Sequence, residues 1–215
     1  MYTNSPLITV RNISPNKTIV RKHTIDTITI HCAAGHITAE NLGVWFSKKT
    51  THASANYGVD DQGRIGLYVE EKDASWASYS SSNDNRAVTI EVACDPKPPY
   101  AVTPAAYESL IELVTDICQR NGINKLLWHN DKCLIGKVDQ QNMTLHKWFI
   151  STACPGDWLI EHHPDIVNKV NKALSADTFY RVQVGAFNDI KNAESMRNKL
   201  KAAGFHEAFI TEVKR

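Results

Sequence analysis

Residues 25–31, Ile-Asp-Thr-Ile-Thr-Ile-His, alternate apolar and polar side chains. A period of two puts successive side chains on opposite faces, so this run predicts a half-buried strand ending at His31. The small residues 32–36 read as a loop, and residues 38–46 as a helix with Thr38 as its cap. Asp60-Asp61-Gln62-Gly63 has the composition of a turn and leads into a second strand at 64–69. The Ser/Asn-rich run 78–85 reads as a loop. Residues 87–93 then alternate again, with Val88, Ile90 and Val92 on one face and Thr89, Glu91 and Ala93 on the other. Thr103-Pro104 opens a helix, because proline fits the first helical position. Tyr107, Leu110, Ile111, Val114, Ile117 and Cys118 form its apolar stripe, and Gly122 stops it. Residues 141–158 read as a loop, and 164–174 as the last helix of this region.

After a short polar joint at 175–178 the pattern restarts. A strand is expected at 179–187 and another at 208–213. Between them a helix over 189–203 turns Ala193, Met196, Leu200 and Ala203 inward and stops at Gly204. The expected domains are therefore 1–174 and 179–215. Interleaved strands and helices predict an α/β fold, a central mixed β-sheet flanked by helices, with a small C-terminal β-α-β unit. Ligands in such folds bind in the groove beside the strand termini.

Composition narrows the function classes. The 215 residues are 42% hydrophobic and 22% charged, enough for a core and too apolar for wholesale disorder. A formal charge of +1 gives no basic field for nucleic acid. No apolar run approaches the ~18–20 residues of a membrane helix, so no membrane insertion is expected. The start of the chain has no basic region followed by an apolar stretch, so the expectation is cytoplasmic synthesis without a signal peptide.

The five cysteines are odd in number and irregularly spaced, which makes a disulfide framework a weak reading. Cys94 and Cys118 read as small buried hydrophobes. Nine histidines offer the pairs His31/His36, His129/Cys133, His146/Cys154 and His162/His163, with no CxxC and no HExxH among them.

Several motifs in order carry a family resemblance. His31 ends an apolar strand, Ile90-Glu91-Val92 follows an Asn-bearing loop, and His146 precedes Thr152-Ala153-Cys154-Pro155-Gly156. Together they resemble the zinc-dependent N-acetylmuramoyl-L-alanine amidases of the type-2 family, which includes phage endolysins and the peptidoglycan-recognition proteins. The similarity runs over roughly residues 20–174, and the stretch 82–92 is similar to phage and prophage endolysins. The resemblance implies a peptidoglycan hydrolase that cuts the amide between N-acetylmuramic acid and L-alanine and acts on the cell wall after release. It implies zinc held by His31, His146 and Cys154, with His129 as the rival to His146. Two imidazoles, a thiolate and an open position are a catalytic zinc set. It also implies Glu91 as general base and acid, Thr152 as an aid to the oxyanion, and Trp76 and Asn85 at the substrate. The alternative is a non-catalytic peptidoglycan-binding protein of the same fold.

Two positions depart from the family. Eight residues before Gly63, where many relatives have Tyr beside the zinc, stands Ala55, with Tyr57 nearby on another face; Trp76 is followed by Ala77 instead of His. The C-terminal stretches 180–187, 192–194 and 200–205 resemble a SPOR domain, a module that binds peptidoglycan glycan strands. They cover about half of one, which implies a cell-wall-binding unit and a homodimer through residues 179–215.

Overall fold

The computed structural model describes residues 2–176, 183–206 and 208–212. The chain divides into two compact units, Met1–Asp177 and Thr178–Arg215.

The first unit contains β1 (Val10–Arg11), β2 (Lys17–Thr18), β3 (Thr27–Cys32), α1 (Ala39–Ser47), β4 (Tyr57–Val59), β5 (Ile65–Leu67), β6 (Ala74–Ser75), α2 (Ser81–Arg86), β7 (Ala87–Val92), α3 (Pro104–Asn121), β8 (Met143–Thr144) and α4 (Asp157–Ala176). Six strands form one sheet in the order β1-β5-β4-β7-β3-β8. Only the β4–β5 pair in it is antiparallel, so the sheet is mixed. β2 and β6 make a separate antiparallel pair.

Register assigns the faces. Ile30 lies opposite Ile90, and Ile90 opposite Tyr57. Ile28, Ile30, Val88, Ile90, Val92, Tyr57 and Val59 therefore share one face, and α3 and α4 cover it with Leu110, Leu113, Val114, Ile117, Leu159, Ile166 and Val170. Fully burying an aliphatic side chain of this kind stabilises by about 1.5–3 kcal/mol, so this layer holds the sheet to its helices. The other face carries Thr29, His31, Thr89 and Glu91, again by register. All of β3 is buried, including Thr27, Thr29 and His31, because this polar face is covered too. The Thr29 and Thr144 hydroxyls are 2.7 Å apart, and the Asn83 side chain donates to Thr29 and accepts from Thr144.

At the other side of the sheet Gly58 and Gly66 face each other across β4 and β5. The Tyr68 ring lies over both: a Cβ at Gly58 would come 2.7 Å from its ring, and one at Gly66 would overlap its hydroxyl. That hydroxyl donates to Ala39 O at 2.7 Å, which ties the sheet to α1.

Two expectations need correction. The Ser/Asn-rich run is not all loop, because residues 81–86 form α2, capped by the Ser80 hydroxyl. Asp84 holds the turn before it, accepting from the N–H groups of Ala77 and Ser78 and from the Ser78 hydroxyl. The last helix starts at Asp157 instead of 164, and Pro164 lies within it. Proline's missing N–H deprives one carbonyl of its helical donor, but packing of Leu159 into the core outweighs that loss.

In the second unit the expected helix is present as α5 (Ile190–Ala202), capped by Asp189, which accepts from Lys191 N. Residues 183–187 and 208–212 carry no strand; the rest of the two expected strands lies outside the described residues. Among the described residues, no helix is long and apolar enough to cross a membrane.

Candidate metal centre

β3 delivers His31 to the C-terminal end of the sheet, fully buried. β7 runs parallel beside it and places Glu91 directly in register with His31. Their side chains share a face, with Glu91 Oε1 4.0 Å from His31 Nδ1. On the other side of β3, Met143 pairs with Ile28 and Thr144 with Thr29. His146 therefore stands three residues past Met143, as His31 stands three past Ile28, and the parallel register brings the two rings together. Their centroids are 4.9 Å apart at 60°. His146 opens a short 3-10 turn, His146–Trp148.

Cys154 comes from the loop before α4. Its Sγ lies 3.4 Å from His31 Nδ1. The Thr152 hydroxyl accepts from Cys154 N at 3.2 Å, and Gly156, at φ +86°, supplies a left-handed turn closed by its N–H on Ala153 O. The bond between Cys154 and Pro155 is cis.

Thus His31, His146 and Cys154 each offer a donor atom, and these atoms all lie within 4.8 Å of one another. Nε2 of His31 and Nε2 of His146 are buried without a hydrogen-bond partner. An orphaned buried nitrogen costs free energy unless something binds it. Burial pushes the pKa of both imidazoles down; Glu91 opposes this at His31, and Asp84 at His146. The rings are therefore held neutral, the form a metal requires. Burial raises the Glu91 pKa against the pull of His31, yet 18% of its side chain meets solvent, so a proton has a path to it.

The other expected positions lie outside the donor set itself. His129 is exposed and outside the donor cluster. Thr152 is exposed on the Cys154 loop. Trp76 and Asn85 line a cleft of about 260 Å³ together with Thr18, His52, Tyr79 and Asp84. Tyr57 is fully buried on the opposite face of the sheet from Glu91; it donates to Glu71 at 2.6 Å and accepts from Ser5 N. It does not stand in for the tyrosine of relatives.

Sequence reasoning missed Asp84 and the aromatic stack beside His146. Asp84 lines the cleft and acts electrostatically on both histidines. Trp148 stacks on Trp128 with centroids 5.6 Å apart, and Trp128 packs on the buried His163 ring at 4.6 Å. Only Ser78, the side-chain partner six residues earlier, could have singled out Asp84, and the stack joins three separate segments, which leaves no local signal.

A mixed sheet whose β7, β3 and β8 run parallel brings a His/His/Cys set that could hold a metal and a carboxylate together at one end, the arrangement of a hydrolase. Residues 21–157 match the family model described as N-acetylmuramoyl-L-alanine amidase, and residues 176–214 match the SPOR domain. The chain belongs to the type-2 N-acetylmuramoyl-L-alanine amidase family. Among solved structures, the chain is similar to the Staphylococcus aureus hydrolase AmiA in complex with its ligand, with a TM-score of 0.59 and 15% identity over 80% of this chain and 85% of that one. A mutant endolysin from Bacillus subtilis gives 0.55 and 15%, over 79% and 99%. The endolysin amidase LysCS from Clostridium intestinale gives 0.52 and 19%, over 78% and 97%. At these identities the likeness is one of fold. No curated protein matches the chain.

Proposed function

We propose that this peptidoglycan amidase works with zinc held by His31, His146 and Cys154. The observation that carries the reading is the convergence of these donors, with two orphaned buried nitrogens, beside a carboxylate in register. Two imidazoles and one thiolate suit zinc and leave a position open. Zinc held there supplies a Lewis acid for the lactyl carbonyl and lowers the pKa of water.

The chain's own residues do the rest. Glu91 accepts the proton of the attacking water as oxygen adds to the carbonyl, and passes it to the amine of L-alanine as the C–N bond breaks. The Thr152 oxygen already accepts from Cys154 N, which leaves its O–H to donate to the developing oxyanion. Trp76 and Asn85, on the walls of a shared cleft, contact the substrate. The non-catalytic alternative has no use for a half-buried Glu91 facing the donor set, so cleavage is the better reading. Residues 179–215 direct the enzyme to the wall and pair it with a second copy, and the protein serves as a phage or prophage endolysin.

Metal analysis tests the centre. The wild-type protein should carry about one zinc, His146→Ala should lose most of it, and His129→Ala should keep it. Loss of zinc in His129→Ala alone would reverse the assignment.

A further inference from the structure

Three threonines stand in a row across the sheet. Thr144 on β8 is in register with Thr29 on β3, and Thr29 with Thr89 on β7. All three are buried. Two residues further along come the functional side chains: His31 follows Thr29, and Glu91 follows Thr89, each on the same face of its strand. Leu145 is extended, at φ −112° and ψ 138°, so His146 leaves the backbone on the same side as Thr144. The row of His146, His31 and Glu91 therefore lies one pleat beyond the row of threonines. One amide locks two of the three threonines. Asn83 in α2 donates from Nδ2 to Thr29 Oγ1 at 3.1 Å and accepts at Oδ1 from the Thr144 hydroxyl at 2.9 Å. That commits the Thr144 hydrogen to Asn83, so the 2.7 Å contact between the two hydroxyls is a donation from Thr29 to Thr144. Three hydrogen bonds close a ring, and the second Nδ2 hydrogen goes to Ser78 Oγ at 3.2 Å. Valine has the shape of threonine and would fill positions 29 and 144 without needing partners. The ring matters most for β8, which is two residues long and lies at the end of the sheet.

We infer that Asn83, Thr29 and Thr144 are positioning residues, and that their ring fixes the spacing of His31 and His146 before a metal arrives. The inference rests on the reading of these histidines as metal donors. The two rings are in contact, yet Nε2 of each has no hydrogen-bond partner, so no bond between them holds the pair in place. The hold comes from one pleat below, where a directional ring ties β3 to β8. Donors ordered in advance spare the metal the cost of ordering them. Thr89 stands outside the ring. Its hydroxyl lies 2.7 Å from that of Ser75 and accepts from Asn56 N at 3.1 Å. The strand that carries Glu91 is therefore tied separately, which supplies a control on the same threonine row.

The full-length protein, stripped of metal, is titrated with zinc against a chromogenic chelator and with Co(II), whose visible spectrum reports the geometry of its ligands. Circular dichroism checks the fold of each variant. In Thr144→Val, and in Thr29→Val should the first fold poorly, zinc affinity should fall by roughly 10–100-fold and the cobalt bands should change in intensity. Thr144→Ser keeps the hydroxyl and should restore both. Ser75→Ala removes a buried hydroxyl from the Thr89 side and should leave both at wild-type values. Wild-type affinity and an unchanged cobalt spectrum in a folded valine variant would overturn the inference. So would an equal loss in Ser75→Ala, or a loss that Thr144→Ser does not restore, since either marks general loosening of the sheet. A wild-type protein that takes up neither metal, or whose uptake survives His146→Ala, would overturn the donor reading and this inference with it, whereas equal uptake by wild type and Thr144→Val overturns this inference alone.

Discussion

Glu91 lies on a central strand, not an exposed edge, with β4 on one side and β3 on the other. Gly58 is its neighbour in register on β4, and His31 on β3. The Tyr68 ring lying over Gly58 on one side and the His31 imidazole on the other desolvate the flanks of the carboxylate. Glu91→Gln keeps that shape and removes the proton acceptor. Zinc content and circular dichroism should be unchanged while turnover of sacculi falls by roughly 10²–10⁴; near-normal turnover would remove the role. At this scale much was legible. Period-two alternation placed Glu91 on the polar face of its strand, and the ordered resemblance picked out His31, His146 and Cys154, which the fold brings together. Asp84 was not legible, because its role depends on α2 turning a Ser/Asn run back over the sheet. The stack of Trp128, Trp148 and His163 was hidden for a similar reason, since its members meet only after α4 docks.

Among the elements, α4 carries a titratable liability. His163 is fully buried and its Nδ1 pairs with Leu159 O at 2.5 Å. Burial pushes its pKa down from 6.5 to about 4 against that hydrogen bond. The unfolded chain therefore takes up a proton near pH 6.5 while the folded chain resists until about pH 4. Stability should be complete above that window and fall as pH drops through it, by about 3 kcal/mol at its lower end. Urea unfolding at pH 7 and at pH 4.5 checks this: His163→Leu should show a smaller loss between the two than the wild type, and equal losses would contradict it. The β4–β5 pair makes a second element-scale prediction. Gly66→Ala forces Tyr68 off the sheet, an overpacking change that should cost about 1–3 kcal/mol, read as a lower urea midpoint with an unchanged slope. Long elements such as α3 were legible from cap, stripe and Gly122, with the helix ending where φ is +71°. Among the two- and three-residue strands, β5 was legible within the expected strand at 64–69, whereas β1, β2, β4, β6 and β8 were not, because burial and ladder partners define them, and neither is local. The start of α4 was misplaced because proline's preference for a first turn is weaker than the packing of the turns before it.

At the scale of the whole molecule, two units share one chain. α5 buries none of its side chains, and Val184, Phe187, Ile190 and Phe205 are exposed in the second unit. A unit of this size has little core of its own. Truncation to residues 1–177 should leave hydrolysis of soluble fragments intact and weaken binding to whole walls in a pelleting assay; equal binding would remove the targeting role. Light scattering of the two proteins reads the pairing: a dimer for the full chain and a monomer for the truncation are expected, and a monomeric full chain rules pairing out. The measurement closest to the central claim is mass spectrometry of the products released from purified sacculi. The account predicts stem peptides with a free L-alanine amine and glycan strands whose lactyl groups end in carboxylates, with release lost on chelation and restored by zinc. Fragments with sugar reducing ends and intact stem peptides, cuts within the peptide, or undiminished release after verified metal removal would contradict it.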